Sequence, residues 1–256
     1  MTAVATAPVV RTEARSRAHE IWRIVRLHTV NPSIFFGIPW MILGAAWAVS
    51  IIITLIIRAG SGGDVTTEDL DNMRYSWAVL SPQWYLVAVG VQAIAYTFSF
   101  ALGFGTTRRD YWLGTSLMFV LTAVMYAVAI ATLVQIEIAT DGWWLGAHMF
   151  DALWYGQNWL LDFYTSFALQ LLVLFIGASI TTVYMRWRMR GMMILLFSTI
   201  ALLLVAIAAI TLAGSWPSLF AWFAAIGIAG VFSVVLALAV VSAIVGYFVI
   251  RRATPR

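Results

Sequence analysis

Few groups in this sequence could do chemistry, and their spacing narrows them further. There are three histidines, His19, His28 and His148, and eleven carboxylates. The only cluster suited to acid–base work is Asp141, His148 and Asp151, which could serve an enzyme acting on a lipid head group. A Ser/His/acid set, paired acids inside an apolar run and a metal-ligand cluster are all missing. Cysteine and lysine are absent, and all fifteen basic residues are arginine. Thiolate chemistry, disulfides, Cys-built metal sites, a Schiff-base lysine and the phosphate loop ending in Gly-Lys-Ser/Thr are thereby excluded. No catalytic residue, metal site or cofactor is expected in this chain, and a process driven by ATP would need another chain to bind it.

The elements that position these groups belong to a bilayer. Of 256 residues, 62% are apolar and 10% charged, outside the range of soluble domains. A helix needs roughly 20 apolar residues to cross the ~30 Å hydrocarbon core. Six stretches qualify, at 35–57, 84–104, 116–136, 163–183, 192–212 and 230–250. The expected fold is therefore all-α and polytopic. It has a cytoplasmic leader and amphipathic helix over 1–32, then a six-helix transmembrane domain over 33–256.

An even span count leaves both termini on one side. Thirteen arginines fall on that side, among them Arg15, Arg23, Arg26, Arg108, Arg109, Arg186, Arg188, Arg190, Arg251 and Arg252, and only Arg58 and Arg74 lie opposite. The positive-inside rule makes both termini cytoplasmic, and the expected location is the cell (plasma) membrane. The net charge of +4 is then topology, and no nucleic-acid partner is expected. The first apolar run begins beyond residue 30 and is too long for a signal-peptide core, so span one should remain in the mature protein.

On the arginine-rich side, residues 14–28 read as a helix. At 100° per residue Ala18, Ile21, Trp22, Ile24 and Val25 share one side, and Arg15, His19, Arg23 and Arg26 the other. This is an interfacial helix, either an anchor on anionic membrane lipids or a docking surface for a cytoplasmic partner. Asn31-Pro32 ends it. After span two, Thr107 and Asp110 match the Ser/Thr-x-x-Asp/Glu capping pattern, so a new helical turn starts there. Arg108 and Arg109 then project into the cytoplasm, with Tyr111 and Trp112 at headgroup depth.

The run from Phe100 through Gly103, Gly105, Thr107, Arg108, Arg109, Asp110, Tyr111 and Trp112 to Gly114 resembles the span-two to span-three elbow of permease subunits in the type-2 class of ATP-binding-cassette (ABC) exporters. A Gly-x-x-Arg-Arg-x-aromatic pattern is common there. The likeness extends to length, six spans, a connecting helix before span one, a coupling helix between spans two and three, and an interrupted element before span six. It implies that 14–28, with Arg15, Arg23 and Arg26, and 107–114, with Thr107, Arg108, Arg109, Asp110 and Tyr111, face ABC-type ATPase subunits. ATP and Mg would sit on those subunits, and a second permease copy or a homologous permease would complete the path.

On the opposite side, 219–228 is too short to cross alone, and Gly227 and Gly230 separate it from the last span. A short broken outer helix before span six is expected over one long tilted helix. The aromatic segment 142–162 is a border element; Gly142-x-x-x-Gly146 lies at the interface, where its match to a helix-dimer pattern is chance. No Arg, Asp or Glu lies near the centre of a span, which argues against ion-coupled transport. Span two carries a polar stripe of Tyr85, Gln92, Tyr96 and Ser99, suited to helix–helix hydrogen bonding or to a path. The resemblance places spans two and five around a central cavity. Gln92, Tyr96 and Ser99, with Ser198 and Thr199, are then the expected substrate contacts. The leading expectation is the permease subunit of an ABC exporter. The alternatives are a non-transporting membrane assembly or immunity module that binds a partner within the lipid, and the lipid-head-group enzyme.

Overall fold

The structure, a computed structural model, describes residues 16–60 and 72–253. Every regular element among the described residues is helical. The first, α1 (Arg17–His28), starts where the Ser16 hydroxyl accepts the His19 N–H at 3.4 Å, carries Glu20 in its first turn and ends with Arg26 and His28. That charge order suits the helix dipole. A π-turn (Ser33–Gly37) then leads into α2 (Ile38–Gly60). Two 3-10 turns (Asn72–Tyr75 and Ala78–Leu80) precede α3 (Ser81–Gly103), and α4 (Arg108–Ala139), α5 (Trp159–Leu212) and α6 (Trp216–Ile250) follow.

Among the described residues, five helices are long and apolar enough to cross a membrane, the first counted from Ser33 and the second from Asn72. The sequence predicts six spans, and the difference lies in α5. Its 54 residues take in both 163–183 and 192–212. At about 1.5 Å per residue such a rod would reach roughly 80 Å, far beyond one bilayer core. The backbone leaves the helical region once within it, at Arg188 (φ 56°, ψ −148°). No proline stands there, so hydrogen bonding resumes on either side. In α6 the expected interruption is present, at Gly227 (φ 63°, ψ −176°), a backbone state that glycine adopts without Cβ strain.

The core sits where α3, α4 and α5 meet, around Leu86, Ile94, Phe98, Phe119, Tyr126 and Leu174. The α3–α5 contact is backbone to backbone. A Cβ on Gly90 would run into the Leu174 carbonyl, and one on Gly177 into the Val87 carbonyl. Small residues permit this approach in lipid, where dispersion and close packing replace the hydrophobic drive between helices. The Tyr126 hydroxyl donates to the Phe35 carbonyl at 3.0 Å and pins the start of α2 to α4. By contrast, residues 192–212 expose apolar side chains on nearly every face, with Leu202 70% and Leu204 61% exposed. Lipid or a second membrane protein must cover them.

Candidate functional site

The predicted elbow is present and is built from distant parts of the chain. Thr107 caps α4: its hydroxyl accepts the Asp110 N–H at 3.1 Å and donates to the Asp110 carboxylate at 2.7 Å. The other oxygen of that carboxylate accepts from Arg17 Nε at 2.9 Å, which ties α1 to the elbow across 93 residues. The Thr107 hydrogen bond, and after it the Arg17 guanidinium, holds the Asp110 carboxyl below the usual range. Behind this pair α1 lies flat on α4 at Gly114, where a Cβ would come within 2.9 Å of the Ile21 carbonyl. Ile24 and Val25 are buried in that contact. Arg108 Nη1 donates to the Arg251 carbonyl at 2.8 Å and so joins the elbow to the end of α6. One end of the bundle is thus a connected surface of α1, the start of α4 and the last turn of α6.

Not every expected residue faces outward. Arg109 and Arg26 are exposed. Arg23 is half-buried, with Nη1 donating to both Glu20 oxygens at 3.0 and 3.1 Å. Arg15 lies outside the described residues. Tyr111 and Trp112, predicted at headgroup depth, are 0% and 4% exposed. The reason is that the chain turns at Gly105 (φ 81°) into α4 under the cover of other helices: His28 of α1 lies against the Tyr111 ring, and Phe175 of α5 and Gly246 of α6 face the Trp112 ring. The Tyr111 hydroxyl donates to the Ala93 carbonyl at 3.0 Å and lies 2.8 Å from the Thr97 hydroxyl. It holds α3 to α4 and cannot itself touch a partner.

A groove of about 220 Å³ between α1 and the elbow is lined by Arg23, Ile24, Leu27, Phe100, Phe104 and Thr106. Phe100 and Phe104 meet edge to face with centroids 4.6 Å apart, and both are exposed. Sequence reasoning passed over them, because two phenylalanines at the end of a span look like lipid-facing residues. Only their i,i+4 spacing beside the arginines signals a shared patch.

His28 closes the inner side of α1. It is buried, its Nε2 lies 3.0 Å from the Thr115 hydroxyl, and its ring rests against Phe35 and Tyr111. Burial lowers its pKa to about 4. The undocked helix would titrate near 6.5, so it binds a proton that the docked helix refuses as pH falls from about 6.5 to about 4. Docking of α1 is expected to be complete above that window and to weaken by up to about 3 kcal/mol across it. The absence of cysteine allows one spin label at Ser16→Cys to report this. The label should gain mobility on acidification, and a His28→Leu chain should lose the pH dependence. A pH-independent spectrum in the parent would contradict the assignment.

The expected path residues do not meet within one chain. Gln92 is half-buried on α3, with Tyr96 and Ser99 exposed beside it. Ser198 and Thr199 are exposed on the second half of α5. Ser198 lines a cavity with Arg186, Arg188 and Val245 to which α3 contributes no residue. At the other end of the bundle, Asp151 pairs with Arg74 at 3.2 Å and approaches His148 at 3.7 Å. Asp141 takes part in neither contact. Instead Glu137, 1% exposed, organises this end. One of its oxygens accepts the N–H groups of Met149, Phe150 and Asp151 at 2.9, 2.9 and 2.8 Å, and the other accepts the Trp143 indole N–H at 2.7 Å. Buried Asp162 accepts from the Gly156 N–H and the Gln135 amide. The 142–146 stretch is a turn with Trp143 and Trp144 at positive φ, not a helix–helix face.

Comparisons with protein-family models, with curated proteins and with solved structures found no match for this chain.

Proposed function

We propose that this chain is the transmembrane permease subunit of an ABC exporter in the plasma membrane, with both termini cytoplasmic. In this reading α5 makes two crossings, 159–187 and 189–212, that reverse at Arg188, which brings the total to six. Support comes from the cavity shared by Arg186, Arg251 and Arg252, which sets the end of α6 beside the break in α5. The contacts Arg17–Asp110 and Arg108–Arg251 join the remaining described arginines of the terminal side to that same end. Arg74 pairs at the other end. This is the distribution of a membrane protein with a positive cytoplasmic face.

The observation that carries the proposal is the locked pair of α1 and the elbow. Two elements facing the cytoplasm share an ion pair and a glycine contact, and buried Tyr111 joins them to α3. A force applied to Arg109, Arg26 or the Phe100–Phe104 patch would move α3 and α4 together. ATP and Mg bind on separate ATPase subunits, and this chain does no chemistry itself. A second copy or a homologous permease covers the exposed apolar helices, bringing Gln92, Tyr96 and Ser99 of one path wall opposite Ser198 and Thr199 of another.

Exposed aromatics at the outer end favour a second reading. Trp144 is 80% exposed on the cap that Glu137 ties together, and Trp84 is 84% exposed at the start of α3. An assembly or immunity module would use that cap to bind its partner and would need no ATPase. Purification in mild detergent with identification of co-eluting chains separates the two. A nucleotide-binding subunit in stoichiometric amount supports the exporter, and a companion without one supports the module.

A further inference from the structure

At the arginine-rich end, a cavity of about 780 Å³ opens between the break in α5 and the end of α6. Its walls are of two kinds. Arg186, Arg188 and Arg190 supply one, and Ile194, Leu195 and Val245 the other. An adjoining hollow of about 390 Å³ shares Arg186 and adds Arg251 and Arg252. Among the described residues none of these five arginines has a carboxylate at ion-pair distance. Three of them lie over rings: Arg186 is 4.2 Å from the Trp187 centroid, Arg188 5.9 Å from Tyr184, and Arg251 5.5 Å from Tyr247. Stacking on a ring leaves the N–H donors at the guanidinium edge to be satisfied by something else.

Like charges gathered at the border of a low-dielectric phase repel, and only an anion relieves them. The backbone points the same way. Arg188 sits at φ 56° and ψ −148°, a state in which glycine is unstrained and a residue with a Cβ is not. The strain is tolerated at a position whose side chain lines the cavity.

We propose that this cavity binds an anionic phospholipid from the leaflet at this end of the bundle. Its phosphate sits on Arg186, Arg188 and Arg190, whose planar forks match two phosphate oxygens. An acyl chain runs along Ile194, Leu195 and Val245. A free phosphate would satisfy the arginines but leave the apolar wall bare, and the ammonium of a choline lipid would face five guanidinium groups. The depth is right, because the apolar run of α6 ends at Ile250 and Arg251 follows at once. So bound, the lipid would staple the break in α5 to the last turn of α6. The inference holds whether or not the chain is an exporter subunit.

The test uses the purified full chain in phosphatidylcholine vesicles carrying a trace of spin-labelled phosphatidylglycerol or spin-labelled phosphatidylcholine. The motionally restricted component should favour the glycerol lipid by on the order of tenfold or more. The preference should fall to the choline level in the Arg186→Gln/Arg188→Gln/Arg190→Gln chain. Ile194→Trp changes an exposed residue and no charge, and should also lower the restricted component by filling the hollow. It serves in its own right should the triple variant fail to insert. Excess inorganic phosphate should leave the labelled lipid in place. Equal restriction of the two lipids by the parent would overturn the proposal. So would an undiminished preference in the Ile194→Trp chain, and displacement by inorganic phosphate would instead assign a soluble anion to the arginines.

Discussion

Glu137→Ala is expected to unfold the outer cap. In the parent, one buried carboxylate satisfies three consecutive backbone N–H groups and an indole N–H. Truncation strands all four donors where water reaches them poorly, and each stranded buried donor costs about 1 to 3 kcal/mol. Relaxation and entering water will recover part of this, so a net loss of about 4 kcal/mol is expected. The segment is also strained, since Asp141, Trp143, Trp144 and Leu153 all sit at positive φ, so the packing of Met149, Phe150 and Tyr155 must then hold it in place. Glu137→Gln should lose less: its amide oxygen can still accept, but its NH₂ cannot replace the second carboxylate oxygen. Thermal unfolding in detergent, followed by near-UV circular dichroism of the tryptophans, measures both. An alanine variant within about 0.5 kcal/mol of the parent, the range of an ordinary surface substitution, would contradict the assigned role.

The second large effect is expected at the elbow. In the proposed assembly Arg108 and Arg109 meet the ATPase subunit, and hydrogen bonds to a charged group contribute about 1.5 to 3 kcal/mol each. Removing both side chains should weaken ATPase association by on the order of a hundredfold or more, or abolish transport-coupled hydrolysis at equal assembly. The two arginines should differ. Arg109 has an exposed head, so Arg109→Ala should act on association alone. Arg108 also holds the Arg251 carbonyl, so Arg108→Ala should additionally loosen the elbow from α6 and reduce coupling per bound ATPase. Arg108→Lys keeps the charge without the planar fork and should recover association better than coupling. Unchanged pull-down and unchanged hydrolysis in the double variant would remove the elbow from the mechanism.

What was legible in the sequence is local. Thr107 and Asp110 stand three apart, and the structure closes the predicted cap between them. Asn31-Pro32 ends α1 within a few residues, and Gly227 breaks the last helix. Each is a short-range signal with its own steric or hydrogen-bonding cause. The features that escaped depend on segments far apart. Whether Tyr111 faces lipid or core depends on α1 lying over it, a contact secured by Arg17 and Asp110 at opposite ends of 93 residues. Glu137 reads as an ordinary border acid, because its partners are backbone groups 12 to 14 residues on, in a loop without a regular period. The joining of 163–183 and 192–212 in one element was hidden as well. Tyr184 to Gly191 reads as a charged loop by composition, yet it contains no proline to stop hydrogen bonding before Arg188.

In the proposed exporter this chain does work only when a bound motor drives it. The most direct measurement is ATP hydrolysis and solute release by the purified chain in sealed vesicles, first alone and then with its co-eluting ATPase restored. Neither activity is expected from the chain alone, and both are expected from the assembly. Transport or turnover by the chain freed of every companion would contradict it.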